Sequence, residues 1–238
     1  MKIKLFPLVI LILNLHLLFA QDEISFSQAL LMGQDTPELF SDSILLVLEA
    51  GDAFQKMKIA AQKAGFKIEI VSAYRSYIRQ KDIWNRKYKV NKSAGFNPDE
   101  NIKKIIKYST LPGTSRHHWG TDIDIIDGSI SRKGDVLLTE KFHGKGPYGP
   151  LRAWMDENAA QFGFLRPYSL DIQREGFNYE PWHYSYAPLA IPMLKAYLKL
   201  DLNTLLALKG IEGREYITSK FLKNYIEKNI LGISSSLK

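Results

Sequence analysis

Ser115-Arg116-His117-His118-Trp119-Gly120-Thr121-Asp122-Ile123-Asp124 is the stretch on which the reading of this chain turns. It sets His117 and Asp124 seven residues apart, with Gly120 between them to allow a tight turn. Residues 121–126 read as a strand. Ile123 and Ile125 then share one face, and Asp122, Asp124 and Ile126 share the other. A second cluster, Glu180-Pro181-Trp182-His183, follows downstream. A catalytic zinc site needs three histidine or carboxylate ligands, a position left for water, and a further carboxylate to take the water's proton. His117, Asp124 and His183 suit the first role and Glu180 the second. Within Ser115–Asp124 alone, the residue types leave His118 beside His117, and Asp122 beside Asp124, as open alternatives.

Residues 179–186 have strand character, and on a regular strand residues three apart face opposite ways. Glu180 and His183 share a site only where the chain bends or Glu180 projects from the preceding loop. Pro181 supplies that break, because it removes a ladder donor and restricts its neighbour.

Working outward, Pro37 to Gly65 carries apolar residues at helical spacing and reads as one or two helices. Residues 66–72 alternate as a strand. Residues 77–89 and 99–108 read as helices, and 91–98 and 109–115 as loops. Residues 129–150 are rich in turn residues. A helix is expected over 151–162, with Gly163 as its cap. Residues 164–178 are irregular, and 188–200 and 214–230 read as helices. With no internal repeat and no long linker, the expected fold is a single α+β domain: a small antiparallel sheet flanked by helices.

Three motifs in one order carry a family resemblance: Ser72-Ala73-Tyr74-Arg75-Ser76-Tyr77 with Gln80, then Ser115–Asp124, then Glu180–His183. Over roughly residues 40 to 190 the chain resembles the D-alanyl-D-alanine carboxypeptidases of the VanY type. These belong to the LAS group of zinc peptidases, whose fold is similar to the hedgehog signalling domain. The resemblance implies Zn²⁺ held by His117, Asp124 and His183, Glu180 as general base and then acid, and Arg75 on the substrate carbonyl oxygen. Ser115 and Gln80 are expected to contact substrate or hold the site. Trp182 is expected as a wall of the site, and His118 and His143 outside the ligand set. The family usually has a small residue where this chain has Asp122, which is expected either behind the ligands, orienting one of them, or facing water.

The chain has 238 residues, no cysteine and a formal net charge of +7. Disulfides, cysteine-ligated metal and a lipoprotein anchor are therefore excluded. The positive charge is spread along the sequence, with no nucleic-acid-binding signature, so no nucleic-acid partner is expected. Lys2 and Lys4 precede an uncharged run from Leu5 to Ala20, the pattern of a signal peptide over residues 1–20. Cleavage would leave no stable membrane span; an uncleaved anchor is the alternative. Residues 21–36 are expected to be loosely ordered, 37–190 to form the zinc peptidase domain, and 191–238 to form a helical extension packed on it.

The expected function is that of an exported, periplasmic zinc carboxypeptidase removing a terminal D-alanine from peptidoglycan stem peptides. The same motifs also fit an L,D-carboxypeptidase, a D,D-dipeptidase or a peptidoglycan endopeptidase. From a different class, a non-catalytic zinc-containing wall-binding module is the alternative. Oligomeric state is not readable from the sequence.

Overall fold

The computed structural model describes residues 25–207 and 209–238. The expected signal segment, residues 1–20, lies outside them. The elements run α1 (Gln28–Leu31), α2 (Leu48–Lys63), β1 (Ile68–Ser72), α3 (Tyr77–Ser93), α4 (Pro98–Ile105), β2 (Asp122–Asp127), α5 (Gly149–Asn158), β3 (Phe164–Leu165), β4 (His183–Tyr186), α6 (Ala187–Tyr197), α7 (Leu202–Leu206) and α8 (Ser219–Tyr225). One antiparallel sheet has the order β1-β2-β4-β3, with helices around it. The α+β reading with a small antiparallel sheet holds.

Strand β2 divides its side chains as the alternation requires. Ile123 and Ile125 enter a core with Phe54 and Met57 of α2 and Leu151 and Met155 of α5. Asp122 and Asp124 take the other face. Directly before β2, Arg116–Trp119 forms one 3-10 turn that ends at Gly120, whose φ of 67° lies in the left-handed region. Gly120 lets the chain reverse so that His117 and Asp124 end on one side.

Helix starts follow local chemistry. The Ser76 hydroxyl caps α3 by accepting from the Arg79 N–H, and Asn97 and Glu100 cap each other's backbone at the start of α4.

Several expected boundaries shift. In the 37–65 region only 48–63 is α-helical; Leu39 instead bridges Val47 in antiparallel fashion. The Ser41 hydroxyl accepts from the Ile44 N–H at 3.1 Å, a side-chain turn that competes with helix. The expected strand 179–186 is regular only over 183–186. The expected helix 214–230 is broken, because Thr218 caps a fresh start at Ser219.

The segment expected to be loosely ordered, 21–36, is described from residue 25. Residues 25–36 are not loose: Leu31 and Met32 are almost fully buried beside Trp119. The Trp119 indole donates to the Leu31 carbonyl at 3.1 Å. The apolar run Leu30-Leu31-Met32 has a core to enter, and its burial outweighs the entropy of ordering the segment.

At the other end, the expected boundary at 190/191 falls inside α6. Leu222, Tyr225, Ile230 and Leu237 share one core with Trp84 and Trp119. Two tyrosines of this region hold the loop before the 3-10 turn. The Tyr225 hydroxyl accepts from the Leu111 N–H at 3.0 Å, and the Tyr197 hydroxyl donates to the Gly113 carbonyl at 3.0 Å.

Candidate metal centre

Register brings the candidate ligands together. Asp124 on β2 stands directly across from His183 on β4, and Asp122 from Ser185. On the other side, the chain leaving β1 runs beside the 3-10 turn: the Arg75 N–H donates to the His117 carbonyl at 2.9 Å. His117, Asp124 and His183 are all buried, and one donor atom from each lies within 4.8 Å of the others. They sit in the wall of a cleft of about 620 Å³, which also exposes atoms of Arg75, Ser115, Tyr168, Glu180 and Trp182.

Hydrogen bonds select the free nitrogen on each ring. His117 Nδ1 donates to the Ala73 carbonyl at 2.8 Å, which leaves the Nε2 lone pair 3.4 Å from Asp124 Oδ2. The His183 ring is turned the opposite way. Its Nε2 donates to Asp122 Oδ2 at 2.9 Å, and its Nδ1 faces Glu180 Oε2 at 2.8 Å and Asp124 Oδ1 at 3.6 Å. Asp124 Oδ1 is a buried acceptor with no hydrogen-bond donor. The inward nitrogens of His117 and His183, the latter once its proton is displaced, and an unsatisfied carboxylate oxygen are the donor set that a cation satisfies. The residues present fit the metal.

Asp122 is not a fourth ligand. Its Oδ2 accepts from Arg116 Nε at 3.0 Å as well as from His183, and its Oδ1 accepts from the Thr121 and Ser185 hydroxyls, both at 2.7 Å. Arg116 also donates to Ser185 at 2.6 Å. Burial alone would raise the Asp122 carboxyl, but Arg116 and His183 outweigh it and hold the group well below the ordinary carboxylate value. A permanent anion therefore stands behind His183, keeping the proton on the outer nitrogen.

The remaining carboxylates are pushed in opposite directions. For Asp124, burial raises the carboxyl, but His117, His183 and Arg75 together bring it below its ordinary value. Glu180 is raised, first by burial and further by Asp124, with the His183 contact opposing. For His183, burial lowers the ring's pKa, while Asp122, Glu180 and Asp124 push it up to about 10. Glu180 sits in the bend before β4, where the His183 N–H reaches back to the Glu180 carbonyl at 3.3 Å.

Arg75 lies in the cleft wall, with Nη1 donating to Gln80 Oε1 at 2.9 Å and Nη2 to the Ser72 hydroxyl at 2.7 Å. Its Nη2 is 3.9 Å from Asp124 Oδ2. Of the two roles expected of Gln80, contact with substrate or holding the site, its hydrogen bonds fit the second. Gln80 is 0% exposed, and its amide nitrogen is committed to the Thr110 carbonyl at 2.7 Å. Helix α3 turns it inward, behind Arg75, so it holds the guanidinium and does not reach the cleft.

Ser115 does line the cleft, and Trp182 forms part of its wall against Phe142. His118 turns away from the cluster. Its Nδ1 donates to the Arg75 carbonyl at 2.5 Å, its Nε2 accepts from the Gly113 N–H at 3.2 Å, and burial pushes its pKa down to about 3. His143 is half-buried and pairs with the Tyr179 hydroxyl at 3.1 Å.

Sequence reasoning missed Arg116, Ser185 and Tyr168. Tyr168 stands edge-on to the His183 ring, with centroids 5.0 Å apart. Arg116 lay in plain view beside His117; nothing in the sequence signalled Tyr168.

A His–Asp–His group from β2, β4 and the turn before β2, with a further carboxylate beside it, could hold a metal ion as the centre of a metallohydrolase does. The family model VanY, D-alanyl-D-alanine carboxypeptidase, matches residues 43–189, and the chain belongs to that family.

Among curated relatives, the putative carboxypeptidase YodJ of Bacillus subtilis is 35% identical over 141 residues, covering 58% of this chain and 45% of YodJ. A D-alanyl-D-alanine carboxypeptidase of Enterococcus faecalis is 30% identical over 128 residues, covering 53% of this chain and 42% of the relative. The chain thus spans less than half the length of these two relatives. Among solved structures, a variant of the vancomycin-resistance D,D-pentapeptidase VanY from a VanB-type cassette, in complex with Zn(II), is similar at 26% identity. Its TM-score is 0.51, covering 71% of this chain and 88% of that one. VanYB in complex with D-alanine-D-alanine is similar at 26% identity and TM-score 0.51, covering 73% and 88%.

Proposed function

We propose that the chain is an exported zinc carboxypeptidase that removes the terminal D-alanine of peptidoglycan stem peptides. His117, Asp124 and His183 are the metal ligands, Glu180 the general base and Arg75 the partner of the scissile carbonyl oxygen. The observation that carries this reading is the convergence of all five side chains on one cleft in a chain of this family. Support for the substrate comes from the relatives, one named as a D-alanyl-D-alanine carboxypeptidase and one solved with D-alanine-D-alanine.

Zinc at this site would bring a water's pKa to about 7 and polarise the carbonyl. The protein supplies the rest. Glu180, raised by burial, takes the water's proton and returns it to the leaving amine. Arg75, held by Ser72 and Gln80, keeps a fixed positive charge where the carbonyl oxygen becomes negative. Buried Tyr168 and Trp182 in the cleft wall keep competing water from the reacting atoms. Export rests on the N-terminal pattern; among the described residues no helix is long and apolar enough to cross a membrane.

The test is to load purified protein with zinc, incubate it with a stem pentapeptide ending in D-alanyl-D-alanine, and read products by mass spectrometry. Release of one D-alanine is expected, together with a Glu180→Ala variant that binds zinc one-to-one and has lost turnover. Undiminished turnover in that variant would sink the mechanism. Release of a dipeptide, or a cut at an L,D bond, would move the substrate to the neighbouring classes.

A further inference from the structure

A carboxypeptidase differs from an endopeptidase in that its cleft recognises a free terminal carboxylate, and a cation is the natural partner for that group. Four cationic side chains line the cleft: Arg75, Arg86, Lys87 and Arg116. Arg116 is committed to Asp122 and Ser185, and Arg75 to Ser72 and Gln80. Arg86 is exposed to solvent. Lys87 is different. It is half-buried in the cleft wall, about two turns along α3 from Gln80, and no hydrogen bond or ion pair engages its ammonium among the described residues.

A partly desolvated ammonium without a partner is an unfavourable arrangement that an incoming anion relieves. Lys87 also stands within the electrostatic reach of both Arg75 and Glu180, the groups assigned to the scissile bond. Burial lowers its pKa first and Arg75 lowers it further, while Glu180 and Asp135 act the other way. The terminal carboxylate of a substrate lies one residue, about 3.8 Å of chain, beyond the scissile carbonyl. Lys87, further along α3, lines the same cleft as Arg75 and Glu180.

Resting on the carboxypeptidase reading above, we propose that Lys87 binds the free α-carboxylate of the substrate's terminal residue, and so selects peptides that end in the cleft over peptides that pass through it. The acids already present, Asp124, Glu180 and Asp135, favour a singly charged carboxylate over a more highly charged anion.

The test compares a stem pentapeptide with its C-terminal amide, using zinc-loaded wild type, Lys87→Met and Lys87→Arg. Wild type should prefer the free acid. Lys87→Met should raise KM for the acid about 10- to 100-fold, the loss of one charge-assisted hydrogen bond, and collapse the acid-over-amide preference toward one. Lys87→Arg should restore most of that preference. Zinc stoichiometry and the thermal midpoint report whether each variant is folded. An active, folded Lys87→Met with wild-type preference for the acid overturns the role of Lys87 alone. A zinc-loaded wild type that cleaves neither peptide overturns the carboxypeptidase reading, and Lys87's role falls with it.

Discussion

Replacing Asp122 by asparagine removes one charge from a fully buried position without changing its shape. In the wild type this carboxylate accepts four hydrogen bonds, from Arg116, His183, Thr121 and Ser185. In Asp122→Asn the two hydroxyls can rotate to accept from the new amide, and one oxygen can still serve Arg116 and His183. What cannot be replaced is the negative charge beside buried Arg116. Stranding one member of such a pair costs about 3–5 kcal/mol, a large part of a total stability of about 5–15 kcal/mol. The Asp122 carboxyl is held low in the folded protein, so its contribution is fully present above the unfolded-state value of about 4. That contribution is lost as pH falls toward the folded-state value. Urea unfolding of the chelator-treated proteins should therefore show a stability gap at pH 7 that narrows on acidification. Zinc affinity, read by competition with a chromophoric chelator, should fall about 10- to 100-fold as the acceptor behind His183 loses its negative charge. Asp122→Leu combined with Arg116→Met removes both charges; it should recover most of the stability and none of the zinc affinity. An Asp122→Asn protein with wild-type zinc affinity and a pH-independent stability gap would refute this account.

Zinc uptake should release about one proton per metal at neutral pH, because the His183 ring titrates near 10 without metal; affinity should rise with pH until that value is reached. Calorimetry in buffers of different ionisation heat measures the release, and a value of zero contradicts the assignment of His183 Nδ1. Gln80→Leu should leave zinc binding intact but lower kcat about 10- to 100-fold by freeing Arg75, whereas a direct substrate contact would appear mainly in KM. Gly33→Ala should destabilise the protein by about 2–4 kcal/mol in urea unfolding. Gly33 has a φ of 70°, an added Cβ would sit 2.4 Å from His118 Nδ1, and that ring is pinned by Arg75 and Gly113; an unchanged midpoint would show that the N-terminal segment is not packed as described.

Much of the site was legible because its chemistry is written in local spacing. The Ile123 and Ile125 alternation placed Asp122 and Asp124 on the opposite face of β2, and Pro181 marked the bend that lets Glu180 and His183 share a site. Competition between local and tertiary forces hid the rest. The apolar spacing of 37–47 suggested helix, but the Ser41 turn and the bridge to Val47 prevail. Leu31 and Met32 lie in a segment whose order depends on Trp119, far along the chain. Gln80 carries the right residue type at the right spacing, yet only the packing of α3 shows that it faces Arg75 and not the cleft.

By itself, the sequence determined the donor types and their order along the chain: two histidines, the aspartates and a spare glutamate, with an arginine upstream. The tertiary structure decided which of them face one point, and with which atom. His117 presents Nε2 because Ala73, from the chain leaving β1, takes its other nitrogen; His183 presents Nδ1 because Asp122, from β2, takes its other nitrogen. His118 is withdrawn because Arg75 and Gly113 occupy both sides of its ring. Each choice is made by a hydrogen-bond partner distant in sequence, and such partners exist only once the strands have paired.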